Sequence, residues 1–337
     1  MKDMDSKRLV CLPLIAAAFA LNATIAGAAG PTPEAPVGPT LQPEGSIAPP
    51  EIVPGIVPNA TPPTAPALPA LNSDFNSDGT PDIVWRLRGN SASKGANVLW
   101  LMNGTSYASA VALPAVTDLN WFIAGTGDFN GDGNTDILWR NNKPGPTNTQ
   151  QGRIAVWLMN GSTYLSTVDL LSVVDGEWHI RGAGDFDGNG SPDIIWRNYV
   201  TGANTLWLMD GTNLLQTSAL PSVGDPGWNI YGSGDGDFDG NGTPDIVWRN
   251  AVTGANTLWL MNGTTFSAAV SLPAVSPNVG WQISAFGDYS GDGKPDLVWR
   301  NYTTGANTLW LMNGTALSST AALPAVASPD WKLESPR

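Results

Sequence analysis

The chain has 337 residues, of which 13% are charged, with 29 acidic against 16 basic side chains and a formal net charge of −13. That balance argues against nucleic acid or anionic membrane as a partner, since both select clustered Lys and Arg. One His and one Cys exclude His/Cys zinc sites and Cys/His nucleophile pairs, while 42% apolar residues suffice for a globular core.

Residues 1–29 read as a secretory signal: Lys2, Lys7 and Arg8, the apolar run 9–20, then small residues through Ala28. An uncleaved anchor is the alternative, weakened by Asn22 and Thr24, because a full span needs about 20 apolar residues. Cys11 stands before the apolar stretch and leaves with the signal. The mature chain then has no cysteine, so an exported protein of this composition needs a stabiliser other than disulfides. Residues 30–70 form a linker. Thirteen prolines fall within 31–70, without Lys or Arg, which predicts an extended polyproline-II spacer. A ligand for a Pro-recognising partner is the other reading, but no basic residue accompanies the prolines.

Residues 71–337 repeat five times. Asp-rich loops stand at 74–82 (DFNSDGTPD), 128–136 (DFNGDGNTD), 185–193 (DFDGNGSPD), 237–245 (DFDGNGTPD) and 288–296 (DYSGDGKPD). Each leads into a short apolar run ending in Trp-Arg, then a turn, then a run such as TLWLMNG, then a looser stretch ending near Leu-Pro. A third Trp opens the segment before the next loop, as in NWFIAGTGDF. All 15 tryptophans fall on these three sites, three per repeat. Short runs rich in Ile, Val, Leu and Trp, bounded by Gly, Asn, Asp and Pro, are strands. Asn-Gly at 103, 160, 262 and 313, with Asp-Gly at 210, marks tight hairpins.

Four antiparallel strands per repeat, arranged radially, predict an all-β fold: a β-propeller of four-stranded blades, five in number. The first loop lacks the W-x-I strand that precedes every other loop, and the chain ends with Asp330-Trp331-Lys332-Leu333-Glu334, which supplies it. The C-terminus would then close the ring and leave no open edge. An open array is the alternative.

The loops share D-x-[D/N/S]-x-[D/N]-G-x-x-D. Side-chain oxygens at positions 1, 3, 5 and 9 can converge on one centre, with the backbone carbonyl of position 7. The candidate metal ligands are Asp74, Asn76, Asp78, Thr80 and Asp82; Asp128, Asn130, Asp132, Asn134 and Asp136; Asp185, Asp187, Asn189, Ser191 and Asp193; Asp237, Asp239, Asn241, Thr243 and Asp245; and Asp288, Ser290, Asp292, Lys294 and Asp296. Hard oxygen donors in this number suit Ca²⁺. An EF-hand is excluded, because position 12 is never Glu and the loop exits into a strand. The second and third loops fit best. Ser290 weakens the fifth, and Asp235-Gly236-Asp237 offers the fourth a second register. Ordinary acidic turns are the competing reading, and five copies at one spacing count against it.

With these loops and Trp-Arg strands in view, residues 71–337 resemble the FG-GAP/VCBS repeat family, which includes the propeller head of integrin α-subunits. The resemblance implies calcium at the hairpin between the first two strands of each blade, on the Asp, Asn and Ser positions named. The chain departs from it in having five repeats where the integrin ring has seven, and in keeping only Phe286-Gly287 of the name-giving motif.

Arg86, Arg140, Arg197, Arg249 and Arg300 of the Trp-Arg pairs are expected to hold neighbouring blades together; a sugar-binding surface is the alternative. The turns after Trp-Arg are longest in the first two repeats. Lys94, Asn141, Asn142, Lys143, Asn148 and Gln150 would form a polar rim there, on the face opposite the loops by the family's geometry. His179 is lone. Asp118, Asp169, Asp175, Glu177 and Asp225 are spare acids without paired spacing. The expected function is an exported, calcium-binding, non-catalytic propeller for adhesion or ligand binding. Its partner would be an extracellular protein or glycan, with no nucleic acid and no membrane span after signal cleavage. It would be secreted, periplasmic or at the cell surface. A calcium-dependent lectin is the alternative, and a polysaccharide-acting enzyme would need a carboxylate pair outside the loops.

Overall fold

The computed structural model describes residues 73–89, 91–142, 151–232 and 236–333. The signal and linker readings, and the positions of Lys143, Asn148, Gln150, Asp235 and Glu334, lie outside these residues.

Five antiparallel four-stranded sheets account for every strand described. Blade 1 contains β1 (Ile83–Leu87), β2 (Asn97–Asn103) and β3 (Ser106–Leu113). Blade 2 contains β4 (Trp121–Gly127), β5 (Asp136–Asn141), β6 (Ile154–Asn160) and β7 (Thr163–Leu170). Blade 3 contains β8 (Trp178–Gly184), β9 (Asp193–Asn198), β10 (Asn204–Asp210) and β11 (Asn213–Leu220). Blade 4 contains β12 (Trp228–Ile230), β13 (Ile246–Asn250), β14 (Asn256–Asn262) and β15 (Thr265–Leu272). Blade 5 contains β16 (Trp281–Gly287), β17 (Asp296–Asn301), β18 (Asn307–Asn313) and β19 (Ala316–Leu323). The last strand, β20 (Trp331–Leu333), returns to blade 1.

That return closes the ring. Trp85 pairs with Leu333, Arg86 with Lys332 and Leu87 with Trp331, so the C-terminal W-K-L supplies the strand that the first repeat lacks. The protein is a five-bladed propeller whose two ends meet in one blade.

The hydrophobic core lies between blades. Five clusters are each drawn from two neighbours; one joins Val298 and Leu309 of blade 5 to Trp85 and Trp100 of blade 1, across the closure. The Trp-Arg strands are buried on both faces, as β9 shows with all six residues buried. This explains why their sequence is apolar at both parities. Trp259 and Trp310 of the third-strand position are fully buried, whereas Trp157 is half-buried. The fourth strands show mostly exposed residues and form the perimeter. The first strands of blades 2 and 3, β4 and β8, come close to each other, where small residues are required. A Cβ added at Gly125 would lie 3.3 Å from the Cβ of Ala183 in the next blade.

The Asn-Gly hairpins have two-residue turns, with Asn103 opposite Ser106. The asparagine ends its strand and the glycine takes the left-handed position alone, at φ 57° for Gly104. A glycine first in the turn is the II′ pattern, whose twist matches the flanking strands.

Candidate metal centres in the Asp loops

Each loop turns on two left-handed residues. Position 6 is glycine throughout, with φ from 82° at Gly293 to 89° at Gly190. Position 4 is glycine in four loops (Gly131, Gly188, Gly240 and Gly291), but Ser77 in the first, at φ 57°. Nothing stands near a Cβ built on Gly79 or Gly133, so the backbone, not crowding, imposes the glycine there.

The position-1 carboxylate organises the curl. Asp128 Oδ1 accepts from the N–H groups of Gly131 (2.8 Å) and Asp132 (3.1 Å), and its Oδ2 from Gly133 (2.8 Å). The same pattern recurs at Asp185, Asp237 and Asp288.

Position 9 is a buried clamp. Asp136, Asp193, Asp245 and Asp296 have no exposed surface. In each of these loops, and at Asp82, one oxygen accepts from the N–H of a methionine on the third strand: Met102 (2.9 Å), then Met159, Met209, Met261 and Met312 (2.8 Å each). The other accepts from the start of its own loop, as Asp136 Oδ2 does from Phe129 N at 3.0 Å. Burial outweighs these bonds and pushes Asp82, Asp136, Asp193 and Asp245 up to about 7, with neighbouring loop carboxylates adding to the rise. Asp296 shifts the same way.

The five loops do not bring their acids together equally. One carboxylate oxygen from each of Asp185, Asp187 and Asp193 lies within 4.8 Å of the others, and so it is with Asp237, Asp239 and Asp245. Among the described residues no such three-acid group forms in the first, second or fifth loop. There the third acid stands at position 5 (Asp78, Asp132 and Asp292) and position 3 is Asn76, Asn130 or Ser290. In the convergence of three acids the third loop is thus matched by the fourth and not by the second. Position 7 turns its side chain to the neighbouring hairpin: Ser191 Oγ accepts from Gly211 N at 2.9 Å, Asn134 Oδ1 from Gly161 N at 3.1 Å, and Lys294 bonds Asn313. The donor set at blades 3 and 4 is all oxygen with three carboxylates, which fits a hard divalent cation.

The Trp-Arg arginines join blades. Arg197 lies over Trp248 of blade 4, 5.0 Å from the ring centroid, while its Nη1 donates to Asn204 Oδ1 (3.1 Å) and its Nη2 to Val223 O (3.0 Å). Arg86, Arg249 and Arg300 repeat this with Trp139, Trp299 and Trp85. Arg140 lies over Trp196, but in its repeat Ile154 takes the place of the accepting asparagine. A blade-joining role was legible; the asparagine partner was not singled out.

Of the rim residues that are described, Lys94 and Asn142 are exposed but Asn141 is fully buried. It is the last residue of β5, paired with Trp121, so it belongs to the sheet rather than to a rim. His179 packs edge-on against Tyr199 at 5.2 Å, and Arg181 lies over the same ring at 4.7 Å. Burial first, then the charges of Arg181 and Arg140, push His179 down to about 4, opposed by Asp175. Several spare acids serve local structure: Asp225 accepts from Gly227 N and Asn250 Nδ2, Asp175 from Glu177 N, and Asp169 pairs with Arg153. Among the described residues no helix is long and apolar enough to cross a membrane.

Comparison with known proteins gives one family. The FG-GAP-like repeat profile matches residues 74–139, 185–248 and 237–299, over half of the chain. No curated protein matches. Among solved structures, a protein of unknown function from Bacteroides caccae is 11% identical, with 72% of this chain and 73% of that one covered at a TM-score of 0.36. A chain of the nidogen/laminin complex is 13% identical, with 73% and 99% covered and a TM-score of 0.39. An auxiliary nutrient binding protein from Bacteroides ovatus is 9% identical, with 75% and 63% covered and a TM-score of 0.38.

Proposed function

The chain belongs to the FG-GAP-like repeat family, and on that premise we propose that it is an exported propeller whose Asp loops bind calcium and whose ring is a non-catalytic scaffold for recognition outside the cell. The observation that carries this reading is the convergence of three carboxylates within 4.8 Å in each of two loops built on one repeated plan. Like charges so close oppose the fold unless a cation or a proton neutralises them. When bound, Ca²⁺ would supply a positive centre for the oxygens of positions 1, 3, 5 and 9. The chain's part is to hold those oxygens with loop N–H groups and the two left-handed positions.

For an affinity near 10⁻⁴ M and millimolar calcium, each site would stabilise the ring by about 1.4 kcal/mol. Five such sites would take the place of the disulfides that the mature sequence lacks. Non-catalytic recognition is supported by the turn-capping and ion-pair roles of Asp169, Asp175 and Asp225. Export rests on residues 1–29 and their signal pattern. Equilibrium dialysis of metal-free protein against millimolar ⁴⁵Ca²⁺ tests the calcium reading. Ions retained in proportion to the loops support it, and retention no greater than for a cysteine-free control protein refutes it.

A further inference from the structure

We propose that the loops fall into two classes, and that the adjacent pair in blades 3 and 4 takes up calcium before the other three. This rests on the calcium reading above and adds an order to it. Every loop carries three Asp, so the loops of blades 1 to 4 do not differ in charge, while the fifth adds Lys294. They differ in where the third acid stands and in what holds the neighbouring amide.

In blades 3 and 4 the third acid is at position 3, and the acids of positions 1, 3 and 9 already face one point. The position-5 amide is tied back to the third strand: Asn189 Nδ2 donates to Met209 O at 2.7 Å, and Asn241 Nδ2 to Met261 O at 2.6 Å. In blades 1 and 2 acid and amide are exchanged, and the amide donates into the acid: Asn76 Nδ2 to Asp78 at 2.8 Å, Asn130 Nδ2 to Asp132 at 2.9 Å. There the position-3 oxygen is a neutral amide in place of a carboxylate, its N–H₂ is spent on the position-5 acid, and the acids of positions 1, 5 and 9 do not converge on one point. In blade 5 position 3 is the neutral Ser290 hydroxyl, which donates to Asp288 at 3.4 Å.

Where the ordering is already done, binding retains more of its gross free energy. Ligand charge count and site rigidity spread calcium affinities over orders of magnitude. The two classes should therefore separate by about tenfold.

Isothermal calorimetry of the metal-free protein titrated with CaCl₂ tests this, with circular dichroism confirming that each variant is folded. The expected result is an early phase of two ions, about tenfold tighter than the rest. Asp187→Asn with Asp239→Asn removes the early phase. The exchange variant Asn76→Asp with Asp78→Asn, which gives blade 1 the arrangement of blades 3 and 4, adds a third ion to it. A single phase of equivalent ions overturns the order and leaves the calcium reading intact. So does an early phase that survives the double variant, or an exchange variant that changes nothing. A titration with no binding heat and no ion retained on dialysis overturns both.

Discussion

Asp193 holds the main-chain N–H of Met209 with Oδ1 at 2.8 Å, and Phe186 N with Oδ2 at 2.9 Å. One buried side chain thus ties the start of its loop to the third strand of its blade, and its counterparts do the same in the other four. Three N–H donors converge on the carboxylate, Phe186 and Asp187 on Oδ2 and Met209 on Oδ1, so an amide can satisfy only one side and sets its own N–H₂ against the other. Asp193→Asn is expected to cost about 1–3 kcal/mol in calcium-free buffer, read from urea denaturation. Asp132→Asn, at the exposed position 5, should cost under about 1 kcal/mol in the same assay.

Ser77 is the only non-glycine residue with positive φ among the described residues. Its four counterparts are glycine at φ between 73° and 78°. Relief of the Cβ strain is worth about 1–2 kcal/mol, less the extra freedom glycine brings to the unfolded chain. Ser77→Gly should stabilise the protein by about 0.5–1 kcal/mol, visible as a higher denaturation midpoint. An unchanged midpoint would show that the first loop is not strained.

Arg249 reaches four acceptors at once: Gly254 O at 3.0 Å, Asn256 Oδ1 at 3.0 Å, Val275 O at 2.9 Å and Trp281 O at 3.3 Å, with its guanidinium over Trp299 of the next blade. Lysine keeps the charge but cannot span these positions. Arg249→Lys should cost about 2 kcal/mol or more, because buried carbonyls lose their donors. Thermal unfolding would measure it.

His179 gives a pH dependence of known sign. Its value falls from 6.5 when unfolded to about 4 in the fold, so between those values the unfolded chain binds more protons. Its contribution is fully present above 6.5 and is lost as pH falls toward about 4. The charged and titratable groups around it are Arg181, Arg140, Asp175, the edge-on Tyr199, and Arg197 opposite it on β9. The buried loop carboxylates tilt stability the other way, since their raised values favour the fold at lower pH. The check is therefore a difference: wild type minus His179→Gln stability should rise with pH across this window. A flat difference would contradict the burial of a neutral imidazole.

Most of the fold could be read from the sequence because each blade repeats the same three tryptophans at the same places. Ring closure was legible in Trp331-Lys332-Leu333, since the first repeat visibly lacks that strand. The Asp loops were legible as a donor pattern, but their division into two kinds was not. Swapping Asn and Asp between positions 3 and 5 leaves composition and spacing unchanged, and only the fold shows which arrangement converges. Nor does spacing reveal the clamp of Asp82 on Met102, which lies 20 positions further on and across a sheet. Asn141 was misplaced because a polar residue beside a long turn reads as rim, whereas here it ends a buried strand. Arg181 was passed over because it occurs in one repeat only, at an irregularity between Ile180 and Gly182.

Calcium as the stabiliser of the ring is the central claim, and scanning calorimetry with and without a chelator tests it. With millimolar calcium restored after chelation, the melting temperature should rise by more than about 10 °C, the sum of several sites of about 1.4 kcal/mol each. Identical melting curves with chelator and with calcium would contradict it.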